Sequence, residues 1–451
     1  MARFSLRQQS LVVAFALVVG GCGGGNGSSD ESSAADSAAT SVAVDETTDD
    51  DSVPASSTTT TEAATTTTEV TTTTTTTTVA PDPWTIDPRV TPATVFANPD
   101  ECKIPDVTPR RGPNGEELDT VQQIHQSRSG FPRLSPIDPF EDLRLLVVPA
   151  SVDDRVFVES DLAVVEDAFE TVADFYLDQS YGRATVEATI VPEAAWVRLE
   201  GSAEDVGIAG TGPFTDRTGF FEDVVEAVAA DVDLSLYDAV AVVTHQGPGL
   251  AFAQAIYRID GDQARPPGFL IGGVFLRLWS TYAHELGHVW LLSEDLYYVH
   301  DRAQIMMGGW DLMAESWNQT LEINPWTRWI NGWVTDAQVN CITTPGSTTH
   351  AIETVSLASE RTKMAVVKLS EHSVLVVDSR RDLGFGEHGW DANGDAAIVY
   401  VVDTSIRHGM GPIRWRGELR QIGESLTTDG VTITLDDADQ TNDLITVTVS
   451  D

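Results

Sequence analysis

Basic residues are scarce in this 451-residue sequence: lysine and arginine number 27 against 69 aspartates and glutamates, a formal net charge of −42. The acidity extends beyond the N-terminal region into the part expected to fold, so nucleic acid is excluded as an expected partner, its phosphates being repelled. Cysteine is rarer still. Cys22, Cys102 and Cys341 are the only three, and none lies near the histidines considered below, which argues against a thiolate zinc site. Beyond Val19 no segment has the length and apolarity of a transmembrane helix. No internal repeat is evident. Between Gly23 and about Ala80 there is no lysine, no arginine and almost no large apolar residue.

That depleted stretch is filled by Gly, Ser, Asp and then threonine, ending in the unbroken run Thr71 to Thr78. It cannot bury enough surface to offset its ordering entropy and is expected to be a disordered, Ser/Thr-rich stalk over 22–82, of a composition often O-glycosylated. Before it, "MARFSLRQQSLVVAFALVVGGC" has a basic start at Arg3 and Arg7 and an apolar run, Leu11 to Val19, too short to span a bilayer. Small residues lead directly to Cys22, as in a bacterial lipobox. The expectation is a lipoprotein signal peptide at 1–21, lipidation of Cys22, and a chain held at the outer face of the cell membrane by its N-terminal anchor; the plain alternative is an ordinary signal peptide and a secreted protein. Export permits disulfides, and Cys102 and Cys341 are expected to pair, two separate thiols being the alternative.

Residues 83–140, rich in Pro, Gly and polar residues, are expected to form an irregular wrap. "DLRLLVVPA" then reads as a buried strand. "SDLAVVEDAFETVADFYLDQS" reads as a helix, with Leu162, Val165, Phe169, Val172 and Tyr176 at helical spacing and Ser160 as its cap. Gly182 ends it. A second helix is expected over roughly Gly219 to Ala230, then a strand in "YDAVAVVTH", then "GFLIGGVFL" as a strand running into another helix. Alternation of this kind suggests a mixed sheet with helices packed on it, over 141–339. From 340 to 451 "TKMAVVKLS", "HSVLVVDSR", "AAIVYVVD", "GVTITLDD" and "DLITVTVSD" are short, β-branched and separated by turn residues, predicting a β-rich, sandwich-like domain.

The helix after "GFLIGG" carries "HELGH". Residues four apart share a helix face, so His284 and His288 are candidates to offer a ring nitrogen each to one Zn2+ ion, with Glu285 beside them as general base. Two imidazoles and one further ligand would leave a position for water, whose pKa zinc lowers to about 7. Five residues with two free positions do arise by chance. The apolar approach, the export signal and Gly287, which permits close packing under the helix, favour a site.

Around this motif the chain resembles the immune inhibitor A-type metallopeptidases, within the metzincin-like zincins. The likeness runs through "FYLDQSYGRATVEATIV", "LSLYDAVAVV", "GGWDLMAESW", "NPWTRWINGW", "LVVDSRRDLGF" and "IVYVVD", roughly residues 140 to 405. It implies an α+β zincin-like catalytic domain with a mixed sheet and an active-site helix, a Met-turn carried by Met313, and a zinc endopeptidase acting on peptide or protein substrates. One departure stands out. The broader pattern HExxHxxGxxH, or Asp in the last place, here has Leu291 at the glycine and Glu294 at the end. A straight helix would carry residue 294 about 9 Å beyond His288, so the chain must turn between Trp290 and Ser293 without glycine. Glu294 is the expected third ligand, with Asp295, His300 and Glu315 as successive alternatives. A non-catalytic surface-binding or envelope-support lipoprotein derived from such an enzyme is the competing function.

Lesser signals remain open. Seven of the eleven tryptophans fall between Trp279 and Trp333, as core or as an aromatic subsite. Asp391, Asn393 and Asp395 in "DANGD" alternate as in a Ca2+ loop or a hydrated turn. Tyr297 or Tyr298 is placed either to steady an oxyanion or to pack. His245, His350, His372, His388 and His408 have no ligand-like spacing.

Overall fold

Leu143–Ser151 (β1) is buried at every position but Arg144, the pattern of a strand covered on both faces. A computed structural model of the chain describes residues 87–106, 129–133, 135, 137–209, 217–245, 250–254, 258–260, 263–296, 307–314, 322–386, 394–406 and 411–450. The expected signal peptide, Cys22, the stalk, and Tyr297, Tyr298, His300, Glu315, Asp391 and Asn393 lie outside the described residues. Within them the chain is a mixed α+β structure with several sheets and few helices.

Strand β1 pairs in parallel with Val186–Ile190 (β2), Val197–Arg198 (β3) and Ala239–Thr244 (β4). Leu250–Gln254 (β5) is an edge strand; Arg258–Asp260 (β6) and Gln263–Arg265 (β7) form a separate hairpin; Gly268–Gly272 (β8) lies between β4 and β5, parallel to the first and antiparallel to the second. The sheet order is β2-β1-β4-β8-β5, with β3 also on β1.

Glu159–Gln179 (α1) covers one face. Val165, Phe169, Val172 and Tyr176 are buried as their spacing predicts, and Leu162 packs at the margin. Its start differs from the expectation: the backbone N–H of Val158 donates to the Asp161 carboxylate at 3.0 Å, so Asp161 and not Ser160 caps the helix. Arg217–Val228 (α2) covers the other face through Phe220, Phe221, Val224 and Val225, against Leu146, Val148, Val240, Val242 and Leu270. Helices on both faces explain why these strands are apolar throughout and do not alternate.

Trp279–Leu286 (α3) and Pro325–Ile330 (α4) follow. The tryptophans here are core: Trp290, Trp326 and Trp333 are wholly buried, and Trp290 meets Tyr176 and Trp333 edge-on or tilted.

Nine further strands follow among the described residues: Val339–Ile342 (β9), Gly346–Glu353 (β10), Met364–Lys368 (β11), Ser373–Arg380 (β12), Ala396–Asp403 (β13), Ile413–Leu419 (β14), Ser425–Thr428 (β15), Val431–Ala438 (β16) and Asn442–Val449 (β17). They form two sheets, β14-β13-β12-β11-β9 and β10-β17-β16-β15. Val367, Leu375, Val377 and Val399 of the first share a cluster with Ile352, Ile433, Ile445 and Val447 of the second. This is a two-sheet arrangement with a common core. The alternate residues Val366, Val376, Ile398 and Tyr400 join the cluster that holds Trp290, Met313 and Trp326. The core therefore runs unbroken across the boundary expected at 339/340, and Pro83–Asp451 falls in one compact unit.

The N-terminal wrap, where described, is irregular. The Ala97 N–H donates to the Cys341 carbonyl at 3.0 Å, and Phe131 lies edge-on to Trp326 and Trp329. Cys102 and Cys341 form a disulfide across 239 residues, with both side chains fully buried. On the chain-entropy model a loop of that length stabilises by about 5 kcal/mol at most. Mass spectrometry of an unreduced digest should find a Cys102–Cys341 linked peptide. The Cys102→Ala/Cys341→Ala variant should lose roughly 2–5 kcal/mol in denaturant unfolding; an unchanged midpoint would show that the bridge contributes nothing.

Candidate metal centre

After β8 the chain turns at Gly273, whose φ of 64° suits glycine, and enters α3. Every residue from Ser280 to Leu286 is buried, so this helix runs through the core and not over a surface. Helix α1 fixes it: the Tyr176 hydroxyl donates to the Ala283 carbonyl at 2.7 Å, and Phe169 meets Tyr282 edge-on at 5.0 Å.

On this rigid support His284 and His288 bring their Nε2 atoms within 3.2 Å of each other. Each ring is held from behind. His284 Nδ1 lies 3.1 Å from the Leu312 carbonyl, and His288 Nδ1 lies 2.7 Å from the Ser293 carbonyl. A carbonyl only accepts, so both Nδ1 atoms carry the hydrogen, which leaves the Nε2 lone pairs of the neutral rings facing one point.

The carboxylate that meets them belongs to Asp295, not to Glu294. Asp295 Oδ1 lies 3.2 Å from His284 Nε2 and 3.1 Å from His288 Nε2. The cause is the way the helix ends. Gly287–Leu291 forms a π-helical turn, Leu292 takes a left-handed φ of 52°, and the Ser293 N–H donates to the Gly287 carbonyl at 3.1 Å. A π turn holds an extra residue, so the ligand position slips from 294 to 295. Glu294 is buried and turned toward Ser129, whose Oγ donates to its Oε1 at 3.2 Å.

The turn does occur without glycine. A left-handed leucine costs roughly 1–2 kcal/mol, but Leu292 is only 4% exposed, and truncating such a leucine costs roughly 2–5 kcal/mol. Packing wins over backbone strain, which explains a leucine at this place.

Met313 lies under the helix. A Cβ on Gly287 would stand 2.9 Å from Met313 Sδ, so any larger residue there would require the methionine side chain to shift. The turn containing Met313 is tied at several points. Met313 N–H donates to Asp311 Oδ1 at 2.8 Å, and the Asn324 backbone N–H and side-chain amide both donate to Asp311 Oδ2 at 2.8 Å. The Met313 carbonyl accepts the Leu296 N–H at 2.8 Å, which fixes the residue after Asp295.

Three acceptor atoms 3.1–3.2 Å apart need a shared positive charge. A tetrahedral zinc with arms of about 2.0–2.1 Å sets its ligands about 3.3 Å apart, so the donor set fits such an ion in type and in spacing, and these three residues together meet the geometry of a metal-holding group. Without a metal a proton takes that role. Burial disfavours the His284 imidazolium, but the adjoining Asp295 carboxylate outweighs it and pushes the pKa up to about 9. Burial likewise opposes ionisation of Asp295, yet the two imidazoles hold it well below the usual carboxylate range. Glu285, 7% exposed, is raised by burial, with both histidines pulling the other way.

The remaining candidates lie elsewhere. Of the acidic and amide residues in "DANGD", weighed as a Ca2+ loop or a hydrated turn, Asp395 alone is described, its Oδ1 accepting the Asp382 N–H at 3.2 Å. His245 pairs with Asp161 at 2.5 Å; His350 stacks on Phe96, and burial depresses its pKa to about 3. The supporting carbonyls of Leu312 and Ser293 have no side-chain signature and were beyond sequence reasoning; Asp311 stood inside the quoted "GGWDLM" without a role. The chain matches no protein-family model, and no curated protein matches it by sequence.

Asp295→Ala should weaken Zn2+ binding by at least the ~100-fold that loss of a mere supporting partner reaches. Glu294→Gln should bind zinc as the parent does. Titration against a chromophoric chelator measures both, and the reverse ranking would return the third-ligand role to Glu294.

Proposed function

We propose that the protein is a zinc-dependent endopeptidase of the immune inhibitor A type, hydrolysing peptide bonds with His284, His288 and Asp295 as metal ligands and Glu285 as general base. The observation that carries this reading is the convergence of two Nε2 atoms and one carboxylate oxygen beside a buried glutamate on the same helix. Bound zinc supplies Lewis acidity for the scissile carbonyl and brings the pKa of a water to about 7.

The chain's own groups do the rest. Glu285 takes the proton of the attacking water and passes it to the leaving amine, giving one carboxylic acid and one amine per bond cut. Burial raises its proton affinity, and a base that both accepts and returns a proton works best with a pKa brought toward the working pH. The Leu312 and Ser293 carbonyls keep the imidazoles in the tautomer that exposes Nε2. Strand β5 supports a peptide substrate: it pairs with β8 on one side only among the described residues and packs along α3 and the π turn. An extended peptide adds to such an edge through main-chain hydrogen bonds. The sequence expectations of a lipid anchor at Cys22 and a threonine stalk support exported proteins or peptides at the cell surface as the substrates.

Glu285→Gln should retain stoichiometric zinc and lose roughly 100- to 10,000-fold in casein cleavage. Chelation should stop the parent and added Zn2+ restore it. A parent that holds zinc, cleaves nothing and behaves like Glu285→Gln would make the protein a binding module instead.

A further inference from the structure

Behind the turn that carries Met313 lies a group of charged side chains withdrawn from water: Asp311, Glu322, Arg328, Asp378 and Arg380 are all fully buried. Arg380 is the member that reaches from the β-rich sheets to the turn. Its Nε and Nη2 grip Asp378 at 2.7 and 3.1 Å, a two-pronged pair within strand β12. That pairing aims Nη1 at the Trp310 carbonyl, 3.1 Å away, and at Glu322 Oε2, 3.4 Å away.

Both contacts lead to the metal ligands. Glu322 accepts the Leu312 N–H on its backbone carbonyl at 3.1 Å, and the carbonyl of the same Leu312 receives His284 Nδ1–H. The next residue, Met313, accepts the N–H of Leu296, adjoining Asp295. Two of the three ligands are thus hung on the segment 310–313, and one guanidinium nitrogen holds its first carbonyl together with the residue that grips its middle. The same sheet touches the segment once more, Trp310 Nε1 donating to Glu418 at 3.1 Å.

We propose that Arg380 is a positioning residue for the metal site, transmitting the rigidity of the β12 sheet through Trp310 and Glu322 to His284 and Asp295. Burial alone does not imply this, because buried ion pairs contribute little net stability. Geometry separates Arg380 from its neighbour. Arg381 is equally withdrawn, but it pairs with Asp443 at 2.7 Å and with the Asn442, Asp439 and Arg380 carbonyls; among the described residues none of its side-chain hydrogen bonds reaches the turn. A lysine at 380 keeps the charge without the planar fork that satisfies Asp378 and Trp310 together.

This inference rests on the metal reading above, and the test separates the two. Full-length parent, Arg380→Gln, Arg380→Lys and Arg381→Gln are loaded with Co2+, and their visible spectra, Zn2+ affinities and melting temperatures compared. Arg380→Gln should alter the Co2+ spectrum and weaken Zn2+ by roughly 10- to 100-fold, with Arg380→Lys intermediate. Arg381→Gln should melt lower while keeping the parent spectrum and affinity. Should Arg380→Gln fail to fold, Glu322→Gln, which keeps its backbone carbonyl, carries the same spectral expectation and decides in its place. Parent-like spectra and affinities in the Arg380 and Glu322 variants would overturn the role of Arg380 alone. A parent that binds no Co2+ would sink the site and this proposal with it.

Discussion

Two successive carbonyls, those of Leu312 and Met313, are the constraint on which the site depends. One receives the His284 ring and the other the backbone beside Asp295. Each bond is a modest neutral contact, worth about 1 kcal/mol net in isolation. Their value lies in placement: in a largely buried site they determine which nitrogen of His284 carries hydrogen and where the chain re-enters after the helix. Asp311 clamps the turn from within, and Gly287 lets Met313 lie against the helix. The arrangement of the candidate site therefore rests on backbone geometry that its own side chains do not supply.

Much of this was legible in the sequence, and the parts that were not share a cause. The helical spacing of Val165, Phe169, Val172 and Tyr176, and the β-branched runs of β11, β12, β13, β16 and β17, signal their elements because burial follows a period. His284 and Glu285 lie within the regular helix and His288 lies two residues past its end, still where spacing tracks direction. Asp295 does not. Beyond Leu286 the helix widens into a π turn, and a count along the chain ceases to measure position, so the count favoured Glu294. Strands β9, β10, β14 and β15 went unread for a different reason. β10 is rich in threonine and half solvated, and β14 is only partly buried along most of its length, so neither carries the apolar alternation that marks a strand. Their pairing is imposed by the sheets they join.

Acidity has a structural counterpart as well. With so few cations in the chain, those that are buried are placed with care: Arg328, Lys363, Arg380 and Arg381 are all nearly or wholly inside, each against carboxylate or carbonyl oxygens. Arg328 and Arg380 stand where the helical and β-rich parts meet. Continuity of the apolar core across the same seam makes the C-terminal sheets part of the body that holds the site, and not a module appended to it.

The Cys102–Cys341 bridge spans nearly the whole of the helical part, with α3, the π turn and the Met313 segment all between its two ends. The chain there is topologically a ring. A single backbone break anywhere in it opens the ring but releases no piece, since both fragments stay joined through sulfur and through the shared core. Loss of part of the molecule requires a second break or reduction of a bond that lies fully buried. Wherever a peptidase reaches this part of the chain, such a ring turns the first cut from a loss of mass into a local scar.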